Sequence, residues 1–208
     1  MERMKMPETK DVTEVVTCRA GINGCPMAII DVKEIAARVA ELLMRPEYKR
    51  ELERKLAKPF NFHSQFCAAV TGCPNACAQP QIRDFGVIGR ASIAFAEPLC
   101  SGCGFCANAC KENAIEMVEE LPRINAARCI GCSDCVRACQ NDALSVAGKR
   151  YEVTVGGKLG RHAKLAESLG EFETVDEVVE CLRRAIVLLL EEGEKGERLG
   201  AMLERLAR

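Results

Sequence analysis

Residues 66–89 read FCAAVTGCPNACAQPQIRDFGVIG, and this stretch decides the fold prediction. Its first apolar run, 66–70, predicts a buried strand that the glycine and proline of VTGCP end. Cys73 and Cys77 are spaced C-x3-C on the turn that follows, and DFGVIG (84–89) predicts a returning strand. Two thiolates on one turn are half of the ligand set of a cubane iron–sulfur cluster. We therefore expect the other two ligands from elsewhere in the chain.

A second pair of cysteines can complete this set. Cys18 and Cys25 lie in CRAGINGCPMA, directly after VTEVVT (12–17), which predicts another strand. Cys67 is a rival ligand because it precedes Cys73 with a C-x5-C spacing. Since Cys67 falls inside the predicted strand, we interpret it as a buried thiol. The preferred split quartet is Cys18, Cys25, Cys73 and Cys77.

Two further runs of cysteines repeat one spacing, C-x2-C-x2-C-x3-C, which is typical of bacterial two-cluster ferredoxins. They are Cys100, Cys103, Cys106, Cys110 and Cys129, Cys132, Cys135, Cys139. In such modules the fourth cysteine of each run binds the other cluster. One cluster is therefore predicted on Cys100, Cys103, Cys106 and Cys139, and another on Cys129, Cys132, Cys135 and Cys110. Zinc binding is the alternative, but zinc does not require this tandem crossover repeat.

Charge and composition argue against several classes of function. The 208 residues contain 29 Lys+Arg and 30 Asp+Glu, so a net charge of −1 gives no basic footprint for nucleic acid. No Trp and an aromatic content of 4% leave little surface for base stacking. The longest apolar run, AIVLLL at 185–190, is too short to span a membrane. Thiols grouped as metal ligands, without a signal-peptide pattern, predict a cytoplasmic location.

Helical patterns account for most of the remaining chain. Apolar residues at helical spacing predict a helix over 29–43 that ends at Pro46. Thr174 and Glu177 form a capping-box pattern that opens a later helix. Cys181 falls in this helix and is interpreted as a core thiol. The segment 118–126 is interpreted as a link between the two cysteine runs.

Three segments together resemble a known family. GCPNAC followed by DFGVIG, the loop CRAGINGCPMA, and YEVTVGGKLGRHAKLAESLG (151–170) are similar to the siroheme and [4Fe-4S] domain of sulfite and nitrite reductases. An inserted ferredoxin is similar to the dissimilatory and anaerobic sulfite reductases. The resemblance implies an α+β fold, with a mixed sheet and flanking helices. It divides the chain into a reductase-like domain, 1–96 and 148–208, and a two-cluster ferredoxin insert, 97–147.

The resemblance also implies roles for particular residues. The split quartet would bind a third cubane, and the thiolate of Cys77 would be shared with the iron of siroheme. Lys158, Arg161 and His162 follow a glycine turn and are candidate partners of an anion or a haem carboxylate. The remaining candidate cations are interpreted as surface charges. They are Arg19, Arg83 and Arg90.

Three functions follow as hypotheses. In the first, electrons pass from the ferredoxin clusters to the split-quartet cluster and siroheme, for six-electron reduction of sulfite or nitrite. In the second, the protein transfers electrons without siroheme or catalysis. In the third, substrate-binding residues lie on a partner chain, because family members carry further domains before the first cysteine pair. We expect an electron-donor protein or a partner reductase subunit, a small oxyanion substrate and an oligomer.

Overall fold

A computed structural model of the chain describes residues 11–60 and 63–207. Its centre is a five-stranded mixed sheet of order β1-β2-β3-β6-β7, and β4 pairs with β5 separately. The strands are β1 (Thr13–Thr17), β2 (Phe66–Thr71), β3 (Phe85–Phe95), β4 (Ile115–Val118), β5 (Leu121–Ile124), β6 (Leu144–Val155) and β7 (Glu167–Phe172). β1, β2 and β3 run parallel, whereas β6 is antiparallel to both of its neighbours. The predicted mixed sheet is confirmed.

Helices cover one face of this sheet and form the main core with it. The helices are α1 (Val32–Met44), α2 (Pro46–Lys55), α3 (Phe105–Ala109), α4 (Asp134–Ala138), α5 (Val175–Glu192) and α6 (Leu199–Leu206). Phe66 and Phe85 of the sheet are fully buried with Leu43 of α1, Ile186 of α5 and Met202 of α6. Burial of each such side chain stabilises the fold by about 1.5–3 kcal/mol. No helix among the described residues is long and apolar enough to cross a membrane.

Local capping fixes where the two main helices begin. The Asp31 carboxylate accepts hydrogen bonds from the backbone N–H groups of Lys33 and Glu34, both at 3.0 Å, so α1 starts later than predicted. The predicted capping box opens α5. The Glu177 N–H donates to the Thr174 hydroxyl, and the Thr174 N–H donates to the Glu177 carboxylate. Both patterns act within one helical turn, which makes them readable from sequence.

The two cysteine runs lie between β3 and β6, which continue beyond the sheet as a paired ribbon. The pairing extends from Phe85–Val155 to Phe95–Leu144, with a bulge after Ser92. A second, small core beside this ribbon contains Cys106, Ile115, Cys135 and Leu144. The segment 118–126 joins the two cysteine runs and includes β5, which forms a hairpin with β4.

Candidate iron–sulfur sites

Four cysteines from two distant segments line one cavity at the edge of the parallel strands. Cys18 and Cys25 follow β1, and Cys73 and Cys77 follow β2. The cavity that they share has a volume of about 320 Å³. β1 and β2 are parallel, so the chain leaves both strands at the same edge of the sheet. The fold thus brings together the split quartet.

Backbone hydrogen bonds hold the two loops of the split quartet in place. The Cys18 N–H donates to the carbonyl of Val70 at 3.2 Å. The Gly72 N–H donates to the Cys18 sulfur at 3.3 Å, and the Ala76 N–H closes the C-x3-C turn on the Cys73 carbonyl. Amide hydrogen bonds to ligand sulfurs tune the potentials of bound clusters.

A second cavity lies in the insert and mixes the two cysteine runs. Its volume is about 330 Å³, and its cysteines are Cys100, Cys103, Cys106 and Cys139. The first three precede or enter α3, whereas Cys139 follows α4. The Asn141 side chain donates to the Ser101 hydroxyl at 2.7 Å and ties the two runs together here.

The third cavity has the reciprocal composition and a volume of about 370 Å³. Its cysteines are Cys110, Cys129, Cys132 and Cys135. Cys110 reaches it from the end of α3, and its sulfur accepts a hydrogen bond from the Ala114 N–H at 3.3 Å. α3 and α4 therefore exchange their fourth cysteines, in the arrangement that the tandem spacing predicts.

The cavities fit a cluster better than a single ion. Among residues 11–60 and 63–207, no three Cys, His, Asp or Glu side chains are close enough to share one metal ion. A tetrahedral zinc site would gather its thiolates around one point. A cubane instead takes each thiolate on a different iron, so its ligands stand apart around a cavity. Three four-cysteine cavities of similar volume fit that requirement.

Burial raises the pKa of four of the twelve quartet thiols. It raises the pKa of Cys73, Cys106 and Cys132, and raises the pKa of Cys135 to about 11. The exposed Cys103 differs, because the Phe105 backbone N–H lowers its pKa. Metal binding replaces the thiol proton, so it releases protons and weakens as the pH falls.

Cys67 lies away from all three cavities. It is the second residue of β2, about 13 Å before Thr71 at roughly 3.3 Å per residue. Its side chain is buried, and its sulfur accepts a hydrogen bond from the Arg83 guanidinium at 3.5 Å. Burial raises the pKa of this thiol to about 11. The structure places the rival ligand at the opposite end of its strand from the Cys73 loop.

Cys181 is half-buried and packs against the edge of the main core. The buried stripe of α5 includes Val178, Leu182 and Ile186, which are spaced by four residues. Cys181 lies beside this stripe and lines an apolar groove of about 830 Å³ with Phe172 and other residues of β7, α5 and α6. A helix has 3.6 residues per turn, and the edge of its apolar face falls at this position.

The candidate cations are dispersed. Lys158 forms an ion pair with Glu204 of α6, and Arg161 and His162 are exposed on the loop that follows. None of these three lines the split-quartet cavity within the described chain, whereas Arg19 does. Arg90 bonds to Glu152 and to the Ile130 carbonyl. The link through Ile130 has no signal in the local sequence.

Comparisons with known proteins agree with the resemblance. The family model for the nitrite and sulphite reductase 4Fe-4S domain matches residues 8–207. The coenzyme F420-dependent sulfite reductase of Methanocaldococcus jannaschii is 36% identical over 197 residues, covering 94% of this chain and 29% of the relative. One of the subunits of the anaerobic sulfite reductase of Salmonella typhimurium is 41% identical over 66 residues, 32% of this chain and 19% of the relative.

A solved structure has the same fold. Dissimilatory sulfite reductase I aligns with a TM-score of 0.64 at 22% identity, covering 92% of this chain and 49% of that chain. The chain spans less than a third of the M. jannaschii relative and about half of this structure.

Proposed function

The chain belongs to the family of nitrite and sulfite reductase 4Fe-4S domains, and from this premise we propose that it is a three-cluster redox domain serving the reduction of sulfite or nitrite. The observation that carries the proposal is the set of three four-cysteine cavities. A cubane cluster accepts and releases one electron at a time, which is the chemistry that these cavities would provide. The residues themselves bind, order and shield the clusters.

The split quartet is the proposed site of catalysis because the family resemblance assigns its Cys77 to siroheme, and this cysteine is accessible. Cys77 is exposed, whereas Cys18, Cys25 and Cys73 are half-buried. The Cys77 thiolate would be available to hold the iron of siroheme as well as the cluster. Arg19 lines the same cavity and is exposed, so it is placed to meet a carboxylate of the macrocycle or an oxyanion.

We propose that a further polypeptide segment completes the site. The chain matches only a portion of its longer relatives, one of which is itself one subunit of a reductase. We propose that another domain or subunit supplies further walls of the siroheme pocket and the residues that bind the oxyanion. This follows the third sequence hypothesis, in which the substrate site is shared between chains.

The electron donor is proposed to approach the far end of the insert. Cys103 is exposed there, between Leu99 and Phe105, which are 53% and 44% exposed. Exposed apolar side chains beside a cluster ligand give a partner a desolvated contact close to the redox centre. The other two cavities lie nearer to the sheet.

A second candidate function is electron transfer without siroheme. It is favoured by the dispersal of the predicted cations, since Lys158 is ion-paired and neither Arg161 nor His162 lines the split-quartet cavity. In this alternative the split-quartet cluster would be a relay rather than part of a catalytic centre.

An optical spectrum after anaerobic incubation with siroheme separates the two functions. The reductase proposal expects a Soret band and a red band that stay with the protein through gel filtration and shift on adding sulfite or nitrite. Cys77→Ser should abolish the retained bands because a serine oxygen is a poorer ligand than a thiolate. Cys67→Ser is the control and should retain them. Broad cluster absorption alone in the parent protein would favour the electron carrier.

A further inference from the structure

The second cysteine run lies directly against β3. The Ala91 N–H donates to the Gly131 carbonyl at 2.9 Å, just beyond the part of β3 that pairs with β2. A Cβ atom on Gly131 would lie 2.7 Å from the Ala91 carbonyl oxygen, and Gly131 has φ of +66°. Only glycine suits both the contact and this backbone conformation. The loop between Cys129 and Cys132 is therefore fixed on β3.

Arg90 reinforces this contact from the adjacent position of β3. One guanidinium nitrogen, Nη1, donates to the Ile130 carbonyl at 2.6 Å. Nε and Nη2 donate to one carboxylate oxygen of Glu152 at 2.8 and 2.5 Å. The Arg90 side chain is only 20% exposed, and that of Glu152 only 15%. The planar guanidinium thus joins the insert loop to two strands of the sheet.

β3 also touches the loop of the split quartet. A Cβ atom on Gly89 would lie 2.5 Å from the carbonyl oxygen of Gly72, which lines the split-quartet cavity. Further along β3, Ile93 lines the cavity of Cys110, and Phe95 lines the cavity of Cys100. At roughly 3.3 Å per residue, these positions follow Gly89 by about 13 and 20 Å. The three cavities therefore follow one another along β3: the split-quartet cavity, then the cavity of Cys110, then the cavity of Cys100.

We propose that Arg90 is a positioning residue that holds the cavity of Cys110, Cys129, Cys132 and Cys135 beside the split quartet, which makes these two sites neighbours. The cavity of Cys100 is then the outer one. The inference rests on the proposed function of a three-cluster redox domain. Arg90 bonds to no cysteine sulfur among the described residues, so its effect is on the distance between sites, not on ligation.

Arg150 provides a matched control. It pairs directly across from Arg90 in the β3–β6 register. Its Nε donates to the Ser92 hydroxyl at 2.8 Å, and its ion pairs are to Glu171 and Glu173 at 3.9 Å. These contacts stay within the sheet and the segment that follows β7. Arg150→Met therefore removes an arginine from the same region without releasing the insert loop.

The test compares the parent chain with Arg90→Met/Glu152→Leu, Arg90→Lys and Arg150→Met, all purified anaerobically with their clusters. The double substitution removes both charges, so neither is left buried without its partner. In electron paramagnetic resonance of the reduced protein, we expect the double variant to lose the spin–spin broadening between the split-quartet cluster and the cluster of the Cys110 cavity. Its iron content should be unchanged. Hydrogen exchange at the Ala91 amide should accelerate at least tenfold. Arg90→Lys should give an intermediate result, and Arg150→Met none.

Parent-like broadening and Ala91 protection in the double variant would overturn the role of Arg90. If the double variant does not keep its clusters, Arg90→Lys decides in the same way, because an ammonium group keeps the charge but cannot bond to both partners in this geometry. An iron content showing that the parent chain has no split-quartet cluster would overturn the proposed function instead. The two failures are thus distinct.

Discussion

Arg198 and Asp84 form an ion pair that joins the start of α6 to the start of β3. The guanidinium Nη2 lies 2.5 Å from Oδ2 of Asp84, and Nε lies 3.2 Å from Oδ1. The Asp84 side chain is 1% exposed and that of Arg198 is 17% exposed. Asp84 also accepts the N–H of Cys67 at 2.9 Å. One carboxylate thus connects α6, β3 and β2 at the edge of the sheet remote from the split quartet.

Arg198→Met should destabilise the protein by about 3–5 kcal/mol, because it leaves the buried Asp84 carboxylate without its charged partner. The free energy of unfolding in urea, measured anaerobically on the cluster-loaded protein, checks this. Arg54→Met is the control, since Arg54 pairs with Glu51 at the surface. Its expected effect is about 1 kcal/mol or less. Equal effects of the two substitutions would contradict the structural role of Asp84.

Gly89→Ala should loosen the split quartet. The added methyl group would lie 2.5 Å from the Gly72 carbonyl oxygen and 2.8 Å from Ile30. Overpacking of this kind costs about 1–3 kcal/mol and would displace the loop that begins at Cys73. Loss of iron on dilution, followed by absorbance, should be faster than in the parent chain. Gly148→Ala is the control, because nothing lies within 4 Å of a Cβ atom at that position. A similar rate of iron loss in both variants would contradict the role of Gly89.

The capping box of α5 should make stability depend on pH. Hydrogen bonds from the Thr174 hydroxyl and from backbone N–H groups lower the pKa of Glu177 below its ordinary value. A carboxylate with a lowered pKa in the folded state stabilises it fully above the unfolded pKa of about 4.3. That contribution is lost as the pH falls through the folded value. The stability difference between the parent chain and Glu177→Gln should therefore shrink on acidification.

Glu191→Gln is the control for this titration, because Glu191 is exposed at the other end of α5. A negative charge near a helix C-terminus is unfavourable, so its removal should not destabilise the protein. Thermal unfolding of the three proteins near neutral pH and near pH 4 is the measurement. A Glu177→Gln deficit that grows on acidification would show that the sign is wrong.

Removal of iron should unfold the insert before the sheet. The small core beside the β3–β6 ribbon has four buried members, and Cys106 and Cys135 among them are predicted ligands. Ligation therefore replaces apolar burial as the main stabilising contribution in this part of the chain. After anaerobic chelation, hydrogen exchange should show lost protection over 105–138 while the β2 amides stay protected. Simultaneous loss in both regions would mean that the insert has no separate stability.

Some of the fold is predictable from sequence because the determinants are local. The capping box at Thr174 lies within one helical turn, and the apolar run of β2 carries its own signal. Pro46 ends the first predicted helix, and it also begins α2, where a missing N–H has no consequence. The β4–β5 hairpin has no sequence signal, because Glu119 and Glu120 occupy left-handed positions that usually favour Asn and Gly.

The candidate sites, too, are predictable from sequence only in part. The tandem spacing groups the insert cysteines without knowledge of the fold, since the ligands of each run are close in sequence. The C-x5-C spacing of Cys67 and Cys73 also suggests a pair of cluster ligands. The structure argues against this pair, because Cys67 lies near the start of β2 and Cys73 follows its end. The role inferred for Arg90 depends on Ile130 and Glu152, which are 40 and 62 residues away. Such contacts exist only once the sheet has formed.

Each of the three cysteine quartets is proposed to hold one cubane, and a count of iron and inorganic sulfide measures this stoichiometry. We expect about 12 iron and 12 sulfide per anaerobically prepared chain. Cys73→Ser should lower both to about 8, and Cys67→Ser should leave both at about 12. About 8 of each in the parent chain, or a loss of four on substituting Cys67 and none on substituting Cys73, would show that the split quartet is not a cluster site.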